Sequence, residues 1–316
     1  MPAVKVSEIV WARMAAPDLD AMEEFLLEFG MTRAARTGDA LYMRGTDPSH
    51  HIHVTHKGEP RFVGFAYTVD NPEDLRLAAN LPGASGIEHL DEPGGGQRVR
   101  LTEPNGYQIE IVCGVDSVPA LPVVRAPLNT GAEPRKRTGN FLKLDRGPSH
   151  VKRLGHGGFT TPNLEETLAW FRQTLGMVAT DDVYRGDPSR ILSAFSRLDR
   201  GEEYVDHHVL LVRRNEKAGL HHVAFEVQDI DDLFLGHQHL KRSGKYESMT
   251  GVYRNMVGGQ ITDFWLDPWK HMHEHWSDID RLNVASGSRL IDAAGEEVSA
   301  GWGDPVSQRF MMHCSP

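Results

Sequence analysis

The sequence predicts an α+β protein that uses one structural unit several times over, and three observations carry that reading. Short strand-like stretches alternate with single amphipathic helical stretches. The two halves of the 316-residue chain resemble one another. Between the halves lies a connector rich in proline and charge.

The repeat comes first, because internal similarity can decide a fold. IVWARMAAPDLDAMEEFLLEFGM (9–31) matches HGGFTTPNLEETLAWFRQTLGM (156–177). Each reads as a strand, a Pro-x-Leu turn, an amphipathic helix and a Gly-Met stop. In the second copy Asn163 is the expected N-cap, with Glu165 and Glu166 facing the helix dipole. Leu164, Leu168, Phe171 and Leu175 recur at helical spacing, and Gly176 suits a left-handed helix end. RFVGFAYTVDNPEDL (61–75) likewise matches LHHVAFEVQDIDDL (220–233), and TEPNGYQIEIVCG (102–114) matches LDPWKHMHEHWSD (266–278). The chain therefore divides into a first domain at 1–115, a connector at 116–149, a second domain at 150–280 and a tail at 281–316. The tail, with GSR, GEE and GWGDP, reads as irregular structure that folds back on the second domain.

Composition excludes several function classes. Net charge is −10, so no global basic field attracts nucleic acid or anionic membrane. Two distant cysteines make neither a disulfide framework nor a zinc ribbon. No apolar run approaches the roughly 18 residues of a membrane helix, and the N-terminus lacks a secretory apolar region. The expected location is cytoplasmic. Seventeen histidines are the one excess, and histidine is a frequent metal ligand. DEPGGGQRVR (91–100) lacks the spacing of a phosphate loop and reads as a hairpin loop.

Duplicated βαβββ modules of this kind resemble the vicinal oxygen chelate superfamily, and two such domains in one chain resemble the type I extradiol (catechol meta-cleaving) dioxygenases. The resemblance covers nearly all of residues 5–283. It implies paired modules curled into incomplete barrels, with a metal in the second domain held by His156, His222 and Glu274. Two imidazoles and a carboxylate form the facial triad of non-haem Fe(II) enzymes, which leaves room for a bidentate substrate and O2. Fe(II) is the expected cofactor, with Mn(II) accepting the same ligands. The matching first-domain positions are about Trp11 (or Val10), Gly64 and Glu110, so that domain is expected to be structural.

In the strand around Glu274, period two sends Met272, Glu274 and Trp276 one way and His271, His273 and His275 the other. The histidine stripe is expected on a solvated or interface-facing surface. His221, next to His222, is expected to point away from the metal. The resemblance makes His208 the acid–base residue, which imidazole suits, while His207 packs on strand neighbours. Relatives carry a histidine and a tyrosine where this chain has Asn255 and Phe264. Asn255 still hydrogen-bonds but moves no proton, and Tyr253 is the candidate for the missing hydroxyl. Arg254 is expected in a surface salt bridge. Phe195, Met249, Trp265 and Trp269 could line an aromatic pocket, with core packing the default for each.

The expected function is Fe(II)-dependent extradiol cleavage of a catechol-like aromatic diol with O2, by a chain that assembles into a homo-oligomer. The alternatives are another metal-dependent superfamily reaction, isomerase or lyase, and a non-catalytic aromatic-ligand-binding protein.

Overall fold

A computed structural model describes residues 2–124, 126–131, 135–303 and 306–316. The first half forms an eight-stranded mixed sheet. In spatial order its strands are Thr32–Arg36, Ala40–Arg44, His53–Lys57, Glu8–Ala16, Arg61–Thr68, Gln108–Cys113, Gln97–Thr102 and Glu88–His89. Helices Leu19–Glu28 and Pro72–Ala79 follow its two longest strands. The second half repeats this order, with Val151–Thr161 and Gly219–Val227 as the central antiparallel pair. Helices Leu164–Leu175 and Ile230–Ser243 follow those strands. The chain is thus an α+β fold of four strand–helix–strand modules, as the repeats predict.

Local chemistry explains the helix ends. Asp18 accepts from the Asp20 and Ala21 amides, and Asp229 accepts from the Asp232 amide. Asn163 stands at its helix start without a side-chain cap; the Thr161 hydroxyl accepts from its amide instead. Gly176 ends that helix at φ 73, the left-handed conformation expected of it. Glycines 94–96 all have positive φ in the turn before the strand Gln97–Thr102, as a hairpin loop requires.

The tail is more ordered than its sequence suggests. Arg289–Asp292 adds a parallel strand beside Met177–Tyr184, and Arg281–Leu282 pairs with Val205–Asp206. Near its end, Leu220 and Ser315 exchange both backbone hydrogen bonds, and the Phe62 amide donates to the Pro316 carbonyl. The last residues are therefore fastened to both halves.

The halves share one hydrophobic core, in which Phe65 meets Phe159 with ring centroids 5.3 Å apart. The histidine stripe lies at this junction. His271, His273 and His275 are all fully buried, so the solvated option is wrong and the interface option holds. His275 stacks on Phe29 at 3.7 Å and donates to the Phe29 carbonyl at 2.6 Å; His273 meets His53. The covering element is the end of the first-domain helix, which pattern within the strand cannot reveal. Among the described residues no helix is long and apolar enough to cross a membrane.

Candidate metal centre and cavity

The central strands of the second half bring His156 and His222 together, and the neighbouring strand Met272–Ser277 adds Glu274. Glu274 pairs with Ala224, which pairs with His156 across the central ladder. Ligand atoms of the three side chains all lie within 4.8 Å of one another, and each residue is buried. His156 Nε2 stands 3.0 Å and His222 Nε2 3.3 Å from the same oxygen, Glu274 Oε2. The other carboxylate oxygen accepts from the Thr262 hydroxyl. Burial pushes both imidazoles down to about 3, so they stay neutral, and pushes the Glu274 carboxyl up to about 7. His222 Nε2 has no hydrogen-bond partner although it is buried. A buried carboxylate facing two neutral nitrogen donors fits a divalent cation.

His221 departs from the simple alternation. The pairing register shifts between Leu220 and His222, a bulge that leaves His221 without an opposing residue. It is not directed away from the site. Its Nδ1 lies 2.7 Å from His222 Nδ1, and its Nε2 lies 3.1 Å from the Phe310 carbonyl. Since that carbonyl can only accept, His221 donates from Nε2 and accepts at Nδ1 from His222. This network assigns the His222 tautomer and leaves its Nε2 lone pair facing Glu274. The Phe310 carbonyl belongs to the tail, so the tail orients a candidate ligand.

His208 sits just before the strand Leu210–Arg214, with its ring 4.2 Å from that of His156. Its Nδ1 meets His207 Nδ1 at 3.0 Å, and His207 Nε2 meets Asp181 Oδ2 at 2.8 Å. Arg289 from the tail forks onto Asp181 at 2.7 and 2.6 Å. His207 is thus more than a residue packed on strand neighbours: it links His208 to the buried Asp181 carboxylate and its half-exposed partner Arg289. With His207 donating to Asp181 and accepting from His208, the His208 Nε2 is the nitrogen left for a ligand.

These groups open onto a cavity of about 600 Å³. Tyr253, Asn255 and Phe264 all line it. Tyr253 lies nearly parallel to Phe264 at 6.4 Å, and burial pushes its hydroxyl pKa up, so it remains a neutral donor. Asn255 spends its side-chain oxygen on the Val257 amide at 3.0 Å, which leaves its NH2 to donate. Phe195 is a lining residue, whereas Met249, Trp265 and Trp269 are packed in hydrophobic clusters. Arg254 pairs with Asp278 at 2.7 Å, the salt bridge expected of it. Sequence reasoning missed Arg213, Gln260 and the tail residues Val298, Phe310 and Met311, which also line the cavity.

The first half holds a filled counterpart. Trp11 pairs with Ala66, Ala66 pairs with Glu110, and Arg13 pairs with Gly64, matching His156, Glu274 and His222 in register. There Arg13 donates to both Glu110 oxygens, at 2.9 and 3.0 Å, and Trp11 Nε1 adds a third bond at 3.2 Å. A cationic side chain from the protein already neutralises that carboxylate.

A paired-module barrel with a buried His–His–Glu cluster belongs to a recognisable class. Residues 153–274 match the family model of the Glyoxalase/Bleomycin resistance protein/Dioxygenase superfamily. Over its whole length the chain is similar to extradiol dioxygenases. It is 25% identical to metapyrocatechase 2 of Cupriavidus necator, covering 99% of this chain and 93% of that one. The fold matches homoprotocatechuate 2,3-dioxygenase of Brevibacterium fuscum, in its complex with 3,4-dihydroxyphenylacetate, at a TM-score of 0.80. That match has 19% identity and covers 99% of this chain and 94% of the other. It also matches the Mn(II)-bound glyoxalase from Novosphingobium aromaticivorans at a TM-score of 0.79, with 20% identity and coverage of 99% and 97%.

Proposed function

We propose that the chain is a divalent-metal-dependent extradiol dioxygenase, cleaving the ring of a catechol-like diol with O2. The observation that carries this reading is the enclosed His156–His222–Glu274 cluster at the wall of a mainly apolar cavity. On this reading these three residues hold Fe(II) or Mn(II), both of which accept nitrogen and oxygen donors. The metal, when bound, supplies a common template for diol and O2 and a path for electrons between them.

The remaining steps fall to the chain's own side chains. His208 takes a proton from a diol hydroxyl at Nε2 and later returns it to a leaving oxygen. His207 and Asp181 hold its tautomer. The neutral Tyr253 hydroxyl and the Asn255 NH2 donate hydrogen bonds to the diol oxygens. Phe195, Leu211, Phe264 and Phe310 hold the ring and exclude water.

A second reading rests on Phe264, which brings no hydroxyl to its place beside His222. It makes the chain a metal-dependent isomerase or lyase. Oxygen uptake separates the two. Metal-free protein is reconstituted anaerobically with Fe(II) or Mn(II) and mixed with a panel of substituted catechols at an oxygen electrode. Ring cleavage predicts one O2 consumed per diol and a yellow product. Metal and diol bound with no oxygen uptake would contradict it.

A further inference from the structure

The cavity is lined by three arginines, Arg185, Arg213 and Arg214, against one carboxylate, Glu274. Arg214 is committed elsewhere, to Glu165 and to the Ile191 carbonyl. Arg185 is exposed. Arg213 differs from both. It follows Leu211 on the strand Leu210–Arg214, and period two turns both side chains toward the cavity while Val212 enters the core. Its Nε is buried with no hydrogen-bond partner, and no carboxylate among the described residues pairs with it. Tyr253 is the acidic group that bears on it, and burial keeps that hydroxyl neutral.

An unpaired guanidinium is costly inside a protein, and natural structures pair such groups. Arg213 nevertheless remains a cation at neutral pH, since burial lowers its pKa only to about 10. Only its Nε is fully enclosed and the residue as a whole is part-buried, so a ligand in the cavity can supply the missing counter-ion. A planar fork of N–H donors suits a carboxylate or a similar planar anion.

We propose that the substrate is an aromatic diol carrying an anionic substituent, and that Arg213 binds that substituent and sets the specificity of the cavity. This rests on the dioxygenase reading for the diol end of the ligand, while Arg213 specifies the other end. The carboxylate pairs with Arg213 while the two hydroxyls meet the candidate metal cluster in the same cavity. A neutral diol of equal size leaves the guanidinium unpaired and binds more weakly.

The test compares 4-methylcatechol with 3,4-dihydroxybenzoate and 3,4-dihydroxyphenylacetate, titrated anaerobically into metal-reconstituted protein and followed by tryptophan fluorescence. Wild type is expected to bind at least one of the acids on the order of tenfold more tightly than the neutral diol. Arg213→Met removes that preference, and Arg213→Lys keeps part of it. If Arg213→Met does not fold, the wild-type preference and the lysine variant decide. Equal binding of all three diols, or a preference that survives Arg213→Met, overturns the role of Arg213 and leaves the dioxygenase reading standing. Failure of every diol to bind overturns both.

Discussion

Arg13 and Glu110 form a two-pronged ion pair in the first half, where the second half gathers His156, His222 and Glu274. The two sites use one ladder position in opposite ways. In the first half Arg13 faces Gly64; in the second Gly158 faces His222. Large and small residues have changed strands. Arg13→Met leaves the buried Glu110 with only Arg98, 3.5 Å away, as a cation, and the expected loss is about 3 kcal/mol of stability. Denaturant unfolding checks it, and metal content should stay at one ion per chain.

Gly158 makes the complementary prediction. A Cβ there would come within 2.8 Å of the His222 ring. Gly158→Ala should displace that ring and weaken metal binding, with a packing cost of about 1–3 kcal/mol. Competition with a chromophoric chelator measures the affinity, and the unfolding midpoint measures the cost.

His221 touches a candidate ligand through one bond and the tail through another. His221→Ala removes the acceptor that fixes the His222 tautomer, yet leaves all three candidate ligands in place. Metal affinity should fall roughly 10–100-fold. Chelator competition provides the check, and an unchanged affinity would mean the pair of histidines is only packing.

Metal affinity should also depend on pH in a specific way. The Glu274 carboxyl is held up at about 7 by burial, so below that value a proton must leave before a cation binds. Affinity rises about tenfold per pH unit up to neutrality and levels off above it. The candidate imidazoles, pushed down to about 3, add no proton competition in that range. Chelator competition on both sides of neutrality tests the slope.

The domain junction gives an acid-sensitivity prediction. His273 and His275 are pushed down from 6.5 to about 4 by burial. A lowered folded pKa means that the unfolded chain takes up protons first as pH falls. Their contribution to stability is therefore complete above about 6.5 and is lost progressively as pH falls toward 4. Urea midpoints across that window should fall for the wild type. His273→Phe should flatten the fall.

Much of the fold was legible because strand register repeats. The equivalence of Trp11, Gly64 and Glu110 with His156, His222 and Glu274 needed only the alignment of two halves, and the paired strands carry the same register. His221 was misread because strict period two holds only in an unbroken ladder, and a bulge breaks it there. Asp181 lies next to a register shift too, so its bond to His207 had no sequence signal. The tail carried no periodicity, since its order comes from pairing with strands far away in sequence. Arg213 reads as an ordinary strand arginine until the fold sets it in the wall of a cavity that it shares with Phe310 and Met311 of the tail.

The central claim is that both atoms of O2 enter the ring-opened product. The most direct measurement is turnover of the preferred diol under 18O2, quenched into borohydride to stop carbonyl exchange and read by mass spectrometry. The account predicts two heavy oxygens in each product molecule, and no product from His222→Ala protein. Product formed without heavy oxygen would contradict it and leave the metal centre to isomerase or lyase chemistry.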